Sequence, residues 1–377
     1  MPKIQWQVFS GATDISSKVL SMNIVQGRQK YLDDYSGGSC TLTINNAGDY
    51  ASGITYGTVI RVQDLAGGGS QFVCDFWVQE VVFNDYPGNT GLNTATITAV
   101  DWVSRSGRVL ANNFVLGQAL CGIQLKLFEQ ASLGPLPSDM FVNAGSLTYG
   151  SQAAAITYTG SVNNYLNLLS ATERGYIVLR GSVLYFIDRA TVSSTLSSVI
   201  TFGRTPGPLT IGYENFERIQ NGTQFINTAT VSPNGLASQT SVNSSSVTAY
   251  GPASYSSSTV DYNTTQALGN AQWITNTFSN PSSIRFECSF TDRAQDNVGL
   301  DNFMAYFWGF ISKVVYFEYQ VPGGSATTVL TVMEGFTLNA TPEGTRFDMS
   351  FSPLTYYQFF TLNSNSLGIL DTSRLGW

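Results

Sequence analysis

Residues 39–46, Ser-Cys-Thr-Leu-Thr-Ile-Asn-Asn, alternate polar and apolar side chains at a period of two. Cys40, Leu42 and Ile44 face one way and Ser39, Thr41 and Thr43 the other, the pattern of a strand with one buried face. The period recurs on both sides. Residues 5–9 read as a first short strand, residues 14–19 cross over to a strand at Met22 and Ile24, and residues 58–62 alternate after the turn at Tyr56 and Gly57. A long apolar run at 72–83 follows the triple glycine at 67–69, and residues 94–101 close the set after a turn at 85–89. About six strands with hardly a helix signal among them predict a small antiparallel barrel or sandwich.

The pattern then changes. A helix is expected over 116–131, and a stronger one over 161–175, capped by Ser161, with Val162, Tyr165, Leu166 and Leu169 on one face and Gly175 as its terminator. Residues 176–179 and 183–189 form a hairpin about a turn at 180–182. This is a small α+β domain. Thr172-Glu173-Arg174 reads as a solvated last helical turn rather than as a catalytic pair.

Further on, 226–232 is a strand, Ser-rich 238–258 an exposed loop or excursion, 264–278 a helix and 283–290 a strand. Residues 303–321 are the most apolar. Lys313 and Glu318 interrupt them, so buried strands are expected rather than a membrane span. An internal echo follows: strand, Gly-rich turn, strand, turn, strand occurs at 59–101 and again at 314–353. A duplicated barrel split by the middle domain explains it. The expected fold is mainly β with a small α+β part: a first barrel over 1–103, an α+β domain over 104–206, and a second barrel over 207–377 with the Ser-rich excursion, a helix and a C-terminal tail.

Composition excludes several functions. Of 377 residues only 11% are charged, against about 25% in an ordinary globular protein. A net charge of −7 argues against gripping nucleic acid through its phosphates, while a weakly acidic wall lets it slide past. There is no histidine, the commonest general base and metal ligand. Cys40, Cys74, Cys121 and Cys288 are far apart and form no CxxC pair, so buried free thiols are expected rather than a zinc site. The 25 acidic residues offer no carboxylate pair that a motif singles out. No catalytic site, metal or cofactor is predicted. The opening residues lack the apolar core of a signal peptide, so synthesis in the cytoplasm is expected.

The order of these signals resembles the tail hub, or minor tail protein, family of long-tailed bacteriophages. The resemblance runs through Asp14-Ile15-Ser16, Gly27-Arg28 and residues 35–46, 57–62 and 96–101. It continues through Glu173-Arg174-Gly175-Tyr176, residues 184–189 and 227–231, Tyr250-Gly251, Asn280-Pro281 and residues 367–376. It implies two tube-like barrels per chain and a homotrimeric, pseudo-sixfold ring that caps the tail tube at the virion tail tip. Its implied partners are tail tube or distal tail ring proteins and tail fibre or tip proteins. Genome DNA passes by without specific binding, and there is no stable membrane insertion. Many hubs carry a peptidase, lysozyme or fibre extension, and none is read here before Trp377. The alternatives are a sixfold distal tail ring protein and a glycan-binding or cell-wall-degrading tail protein.

One segment stands out as a candidate contact. Residues 27–38 are too long and too polar for a tight hairpin. They carry Arg28, Tyr31, Asp33, Asp34 and Tyr35. As an assembly loop they would offer Tyr31 and Tyr35 as aromatic anchors and Arg28 as a planar fork for a neighbour's carboxylate. Removing both rings should then leave a folded chain that fails to enter tails. The plainer reading is a hairpin tip with Tyr35 folded back on its own barrel.

Overall fold

The computed structural model describes residues 4–35, 37–65, 71–117, 119–132, 139–142, 148–149, 156–181, 183–194, 200–220, 224–282, 284–321 and 323–357. The glycine turn at 67–69 and the family-like segment at 367–376 lie outside them.

The chain is mainly β. Its first part is β1 Trp6–Ser10, β2 Thr13–Asp14, β3 Val19–Gly27, β4 Ser39–Asn45, β5 Val59–Asp64, β6 Gln71–Asn84 and β7 Thr94–Val100. They pair antiparallel in the order β3-β4-β7-β6-β5-β1. The period of two does the work expected of it: Cys40, Leu42 and Ile44 are buried and stand opposite buried Ala99, Ile97 and Ala95.

The middle holds α1 Trp102–Ser106, β8 Leu110–Leu116, β9 Ala119–Leu120, α2 Cys121–Ser132, β10 Asp139–Val142, β11 Thr148–Tyr149, β12 Ile156–Ser161, α3 Val162–Glu173, β13 Tyr176–Arg180, β14 Val183–Ile187 and α4 Arg189–Ser194. Helix α2 starts later than expected because residues before it pair as strands, Leu116 with β12 and Ala119–Leu120 with β11. In α3 the Ser161 hydroxyl accepts the Asn164 N–H at 3.2 Å, and the expected apolar stripe is buried. The helix ends on Arg174, left-handed at φ 53, and not on Gly175. Gly175 serves packing instead: a Cβ there would lie 2.5 Å from the Ile187 carbonyl oxygen. Thr172, Glu173 and Arg174 are buried, so this turn is not the solvated one expected.

The last part holds β15 Thr201–Gly203, β16 Thr210–Gly212, β17 Asn215–Gln220, β18 Thr228–Pro233, β19 Gln239–Val242, α5 Ser244–Tyr250, β20 Ser254–Thr259, α6 Thr264–Phe278, β21 Ile284–Thr291, α7 Asn297–Phe310, β22 Val314–Gln320, β23 Ala326–Thr341 and β24 Gly344–Pro353. The Ser-rich excursion is a structured lobe, a correction to the expected loop. Strands β19-β18-β20 form a sheet with α6 packed on it. Ser and Thr fill the solvent side of these strands while Ala229 and Val231 face the buried Ala267, Ala271 and Ile274 of the helix, so modest hydrophobicity is enough. The apolar run expected as strands begins instead as α7, capped by Asp296, whose carboxylate accepts the Gly299 N–H at 3.0 Å. Leu300, Phe303 and Met304 recur at helical spacing and are buried. Among the described residues no helix is long and apolar enough to cross a membrane.

Strands β17-β21-β24-β23-β22-β15-β16 form a second set, and the two sets are joined through β23 and β3 into one 14-stranded sheet. The sequence echo is a repeat of pairing. Strands β3, β4, β7, β6 and β5 correspond in order to β17, β21, β24, β23 and β22. Each set has one long strand broken by a bulge, at Gln79 in β6 and at Glu334 in β23.

Candidate functional site

The junction of the two sets is the most chemically loaded place in the chain. Strand β23 pairs with β22 before its bulge and with β3 after it, from Gly335 opposite Gly27 to Ala340 opposite Met22. Two glycines make the approach possible. A Cβ on Gly27 would lie 2.3 Å from the Glu334 carbonyl oxygen, and one on Gly335 would lie 2.7 Å from those of Arg28 and Gln26. Gly27 also sits at φ +84, where other residues are strained.

The bulge turns Glu334 inward, where it is fully buried. Its carboxylate accepts the Arg28 Nε–H at 2.8 Å and the Tyr357 hydroxyl, and its carbonyl oxygen accepts the Arg28 backbone N–H at 3.0 Å. The Tyr357 hydroxyl also meets that of Tyr176. The Arg28 guanidinium lies 4.7, 5.0 and 4.6 Å from the ring centres of Tyr31, Tyr35 and Tyr176, a cation enclosed by π faces. Burial opposes its charge most strongly, and the Glu334 carboxylate together with the oxygens of Tyr35, Tyr176 and Tyr357 offsets it, holding Arg28 above the usual arginine range. Burial pushes the Tyr31 hydroxyl up to about 12.

The structure therefore corrects the anchors expected of the loop. Tyr31 is 1% exposed and Tyr35 2%. The Tyr31 hydroxyl donates to the Arg174 carbonyl oxygen at 2.9 Å, and its ring packs edge-on to Tyr357 with centres 4.7 Å apart and beside Trp273 of α6 at 5.5 Å. Arg28 has its carboxylate partner within its own chain. An aromatic residue held in a core has no surface to offer a neighbour, so Arg28, Tyr31 and Tyr35 tie β3 to the middle domain, the α6 lobe and the residues after β24. Asp33 and Asp34 remain exposed. They rim a groove with Glu217, Glu287 and Asp348 from the solvent side of the second strand set.

Glu334 escaped the sequence reading. Its signal was Glu334-Gly335 inside an apolar strand, since a charge beside glycine in a buried strand marks a bulge.

Elsewhere, Cys40, Cys74, Cys121 and Cys288 are buried and free, and burial raises the pKa of each thiol, which disfavours the nucleophilic thiolate. Among the described residues no cluster of His, Cys, Asp or Glu is placed to hold a metal ion.

No family model matches the sequence, and no curated protein matches it. Solved structures do. A tail protein from Neisseria meningitidis MC58 aligns over 93% of this chain and 96% of its own, with a TM-score of 0.62 and 11% identity. The 43 kDa tail protein of prophage MuSo2 from Shewanella oneidensis aligns over 94% and 98%, with a TM-score of 0.55 and 14% identity. The chain has the fold of these tail proteins over nearly its whole length. The resemblance drawn from the sequence to tail proteins of long-tailed phages thus holds at the level of fold.

Proposed function

We propose that the chain is a structural tail protein of a bacteriophage, a ring-forming hub that caps the distal end of the tail tube and organises the tail tip. The repeated pairing order carries this reading. Two equivalent strand sets in one chain, each a barrel of the ring, let three copies present six equivalent units to a sixfold tube. The chain divides by the same logic into strands β1–β7, the α+β domain, and the second set with its lobe, which begins at β15 Thr201–Gly203, just before the expected boundary at 206. The fold shared with tail proteins supports the reading independently.

The solvent faces of the two sets form the inner wall of the ring. Thr41, Thr43, Thr96 and Thr98 make the first polar, exposed Glu80 opposite Thr98 makes it weakly acidic, and Arg61 is paired with Asp75. In the second, Arg346 pairs with Asp348 and Arg285 with Glu287, and Glu217 adds negative charge. Such a wall repels phosphate and lets DNA pass without specific binding. Asp33 and Asp34 stand at its edge, placed to meet a tube, distal-ring or tip protein. The role is structural rather than catalytic.

The copy number tests this. Mass measurement or a reconstruction of tails should give three copies per ring, and six would overturn the hub in favour of a distal ring. Turnover of a cell-wall polysaccharide by the purified chain, lost on changing one carboxylate, would overturn the structural role.

A further inference from the structure

The repeat leaves two strand edges open, and they match. In the second set, β23 beyond its bulge is flanked on both sides, by β24 and by β3. The equivalent stretch of β6, Glu80 to Asn84, has β7 on one side and, among the described residues, no strand on the other. Strand β17, the equivalent of β3, pairs with β21 on one side and, among the described residues, with no strand on the other. One chain therefore contains a filled join, β3 on β23, and both halves of an unfilled one.

The filled join dictates the register of the other. Aligning the bulges at Gln79 and Glu334, and then the shared partners across β4 and β21, transfers the β3–β23 pairs to β17 and β6. Val82 falls opposite Ile219, Phe83 opposite Arg218 and Asn84 opposite Glu217. The side chains suit one another: an apolar pair, a guanidinium beside an aromatic ring, and an amide beside a carboxylate. Val82 and Phe83 are 45% and 43% exposed in the single chain. The stretch 79–84 carries neither lysine nor proline, the residues that usually protect an open edge from pairing.

We propose that β6 of one copy takes β17 of a second copy as an antiparallel neighbour, and that this is the join between subunits. The two surfaces differ, so the contact is head-to-tail and either closes into a ring or runs on as a filament. Its closure rests on the hub reading above; the edge pairing rests on the repeat.

The test uses the full chain carrying Val82→Cys and Ile219→Cys with a short thiol-to-thiol cross-linker, on assembled tails and on concentrated protein. The four native cysteines are buried. Cross-linked species of two and three chains should form at least tenfold more than with Phe83→Cys and Ile219→Cys, which face opposite sides of the sheet. Rings that form without the Val82–Ile219 cross-link overturn the edge pairing and leave the hub reading intact. Cross-linked open chains that never close keep the pairing and overturn the hub. Chains that neither cross-link nor form rings overturn both. Val82→Glu with Ile219→Glu should abolish assembly of a folded chain, and Val82→Glu with Ile219→Lys should restore it; equal assembly by the two also overturns the pairing.

Discussion

Three side chains decide the interior. Glu334 is the counter-charge of a buried arginine, so Glu334→Ala leaves Arg28 charged and unpaired. A loss of roughly 3–5 kcal/mol is expected in urea unfolding, whereas Arg28→Met with Glu334→Leu should recover most of it. Tyr31→Ala should cost a similar amount, roughly 3–5 kcal/mol, because it empties a filled aromatic core. That outcome replaces the folded but assembly-defective chain expected when the tyrosines were read as surface anchors. Asp101 sets a pH dependence. Its carboxylate caps α1 through the Ser104 N–H at 2.9 Å and accepts the Gly38 N–H at 2.6 Å. Burial nevertheless pushes it up to about 6 from the usual 3.8, against the pull of those N–H groups. An acid with a raised folded pKa binds its proton more tightly folded than unfolded, so its contribution to stability grows as pH falls through 6 towards 3.8 and is flat above about 7. Unfolding free energies at pH 7 and pH 4.5 should show this rise, on the order of 2 kcal/mol, and Asp101→Asn should remove it.

At the scale of elements, the β3–β23 pairing holds the two sets together, and Gly27 and Gly335 are the two points of close approach in it. Gly335→Ala places a methyl group against the backbone oxygens of Gln26 and Arg28, which no rotamer relieves. A loss above about 3 kcal/mol is expected, with amide exchange of β3 and the second half of β23 accelerated before that of β4 and β7. Uniform acceleration would show that the join does not open on its own. Elements with one clean signal were legible in the sequence. Helix α6 spans the expected 264–278, β4 stands where alternation put it, and β6 and β7 cover the runs expected at 72–83 and 94–101. The Ser-rich lobe was not legible, because its strands bury only one face and that face is made of small residues.

At the scale of the whole molecule, Asp33 and Asp34 test where the chain meets its neighbours. They lie on the exposed part of the loop whose aromatic residues face inward. Asp33→Asn with Asp34→Asn should leave the unfolding midpoint within about 0.5 kcal/mol of the parent and reduce incorporation into tails, measured by competition with the parent chain. Unchanged incorporation would reduce this loop to a connector whose task ends at the Arg28 cage.

The sequence by itself determined that this chain is β-rich, which faces of its strands are buried, and that its ends echo each other. Period, turn residues and caps act within a few positions and survive without a partner. The tertiary structure alone decided what residues 27–38 do. A tyrosine in a polar loop has the same local signature whether it turns outward or inward. Here β3 lies against β23 at two glycines, and a bulge 306 residues away in sequence supplies the carboxylate that makes Arg28 an inward residue. That pairing is long-range, so no local window of sequence contains it.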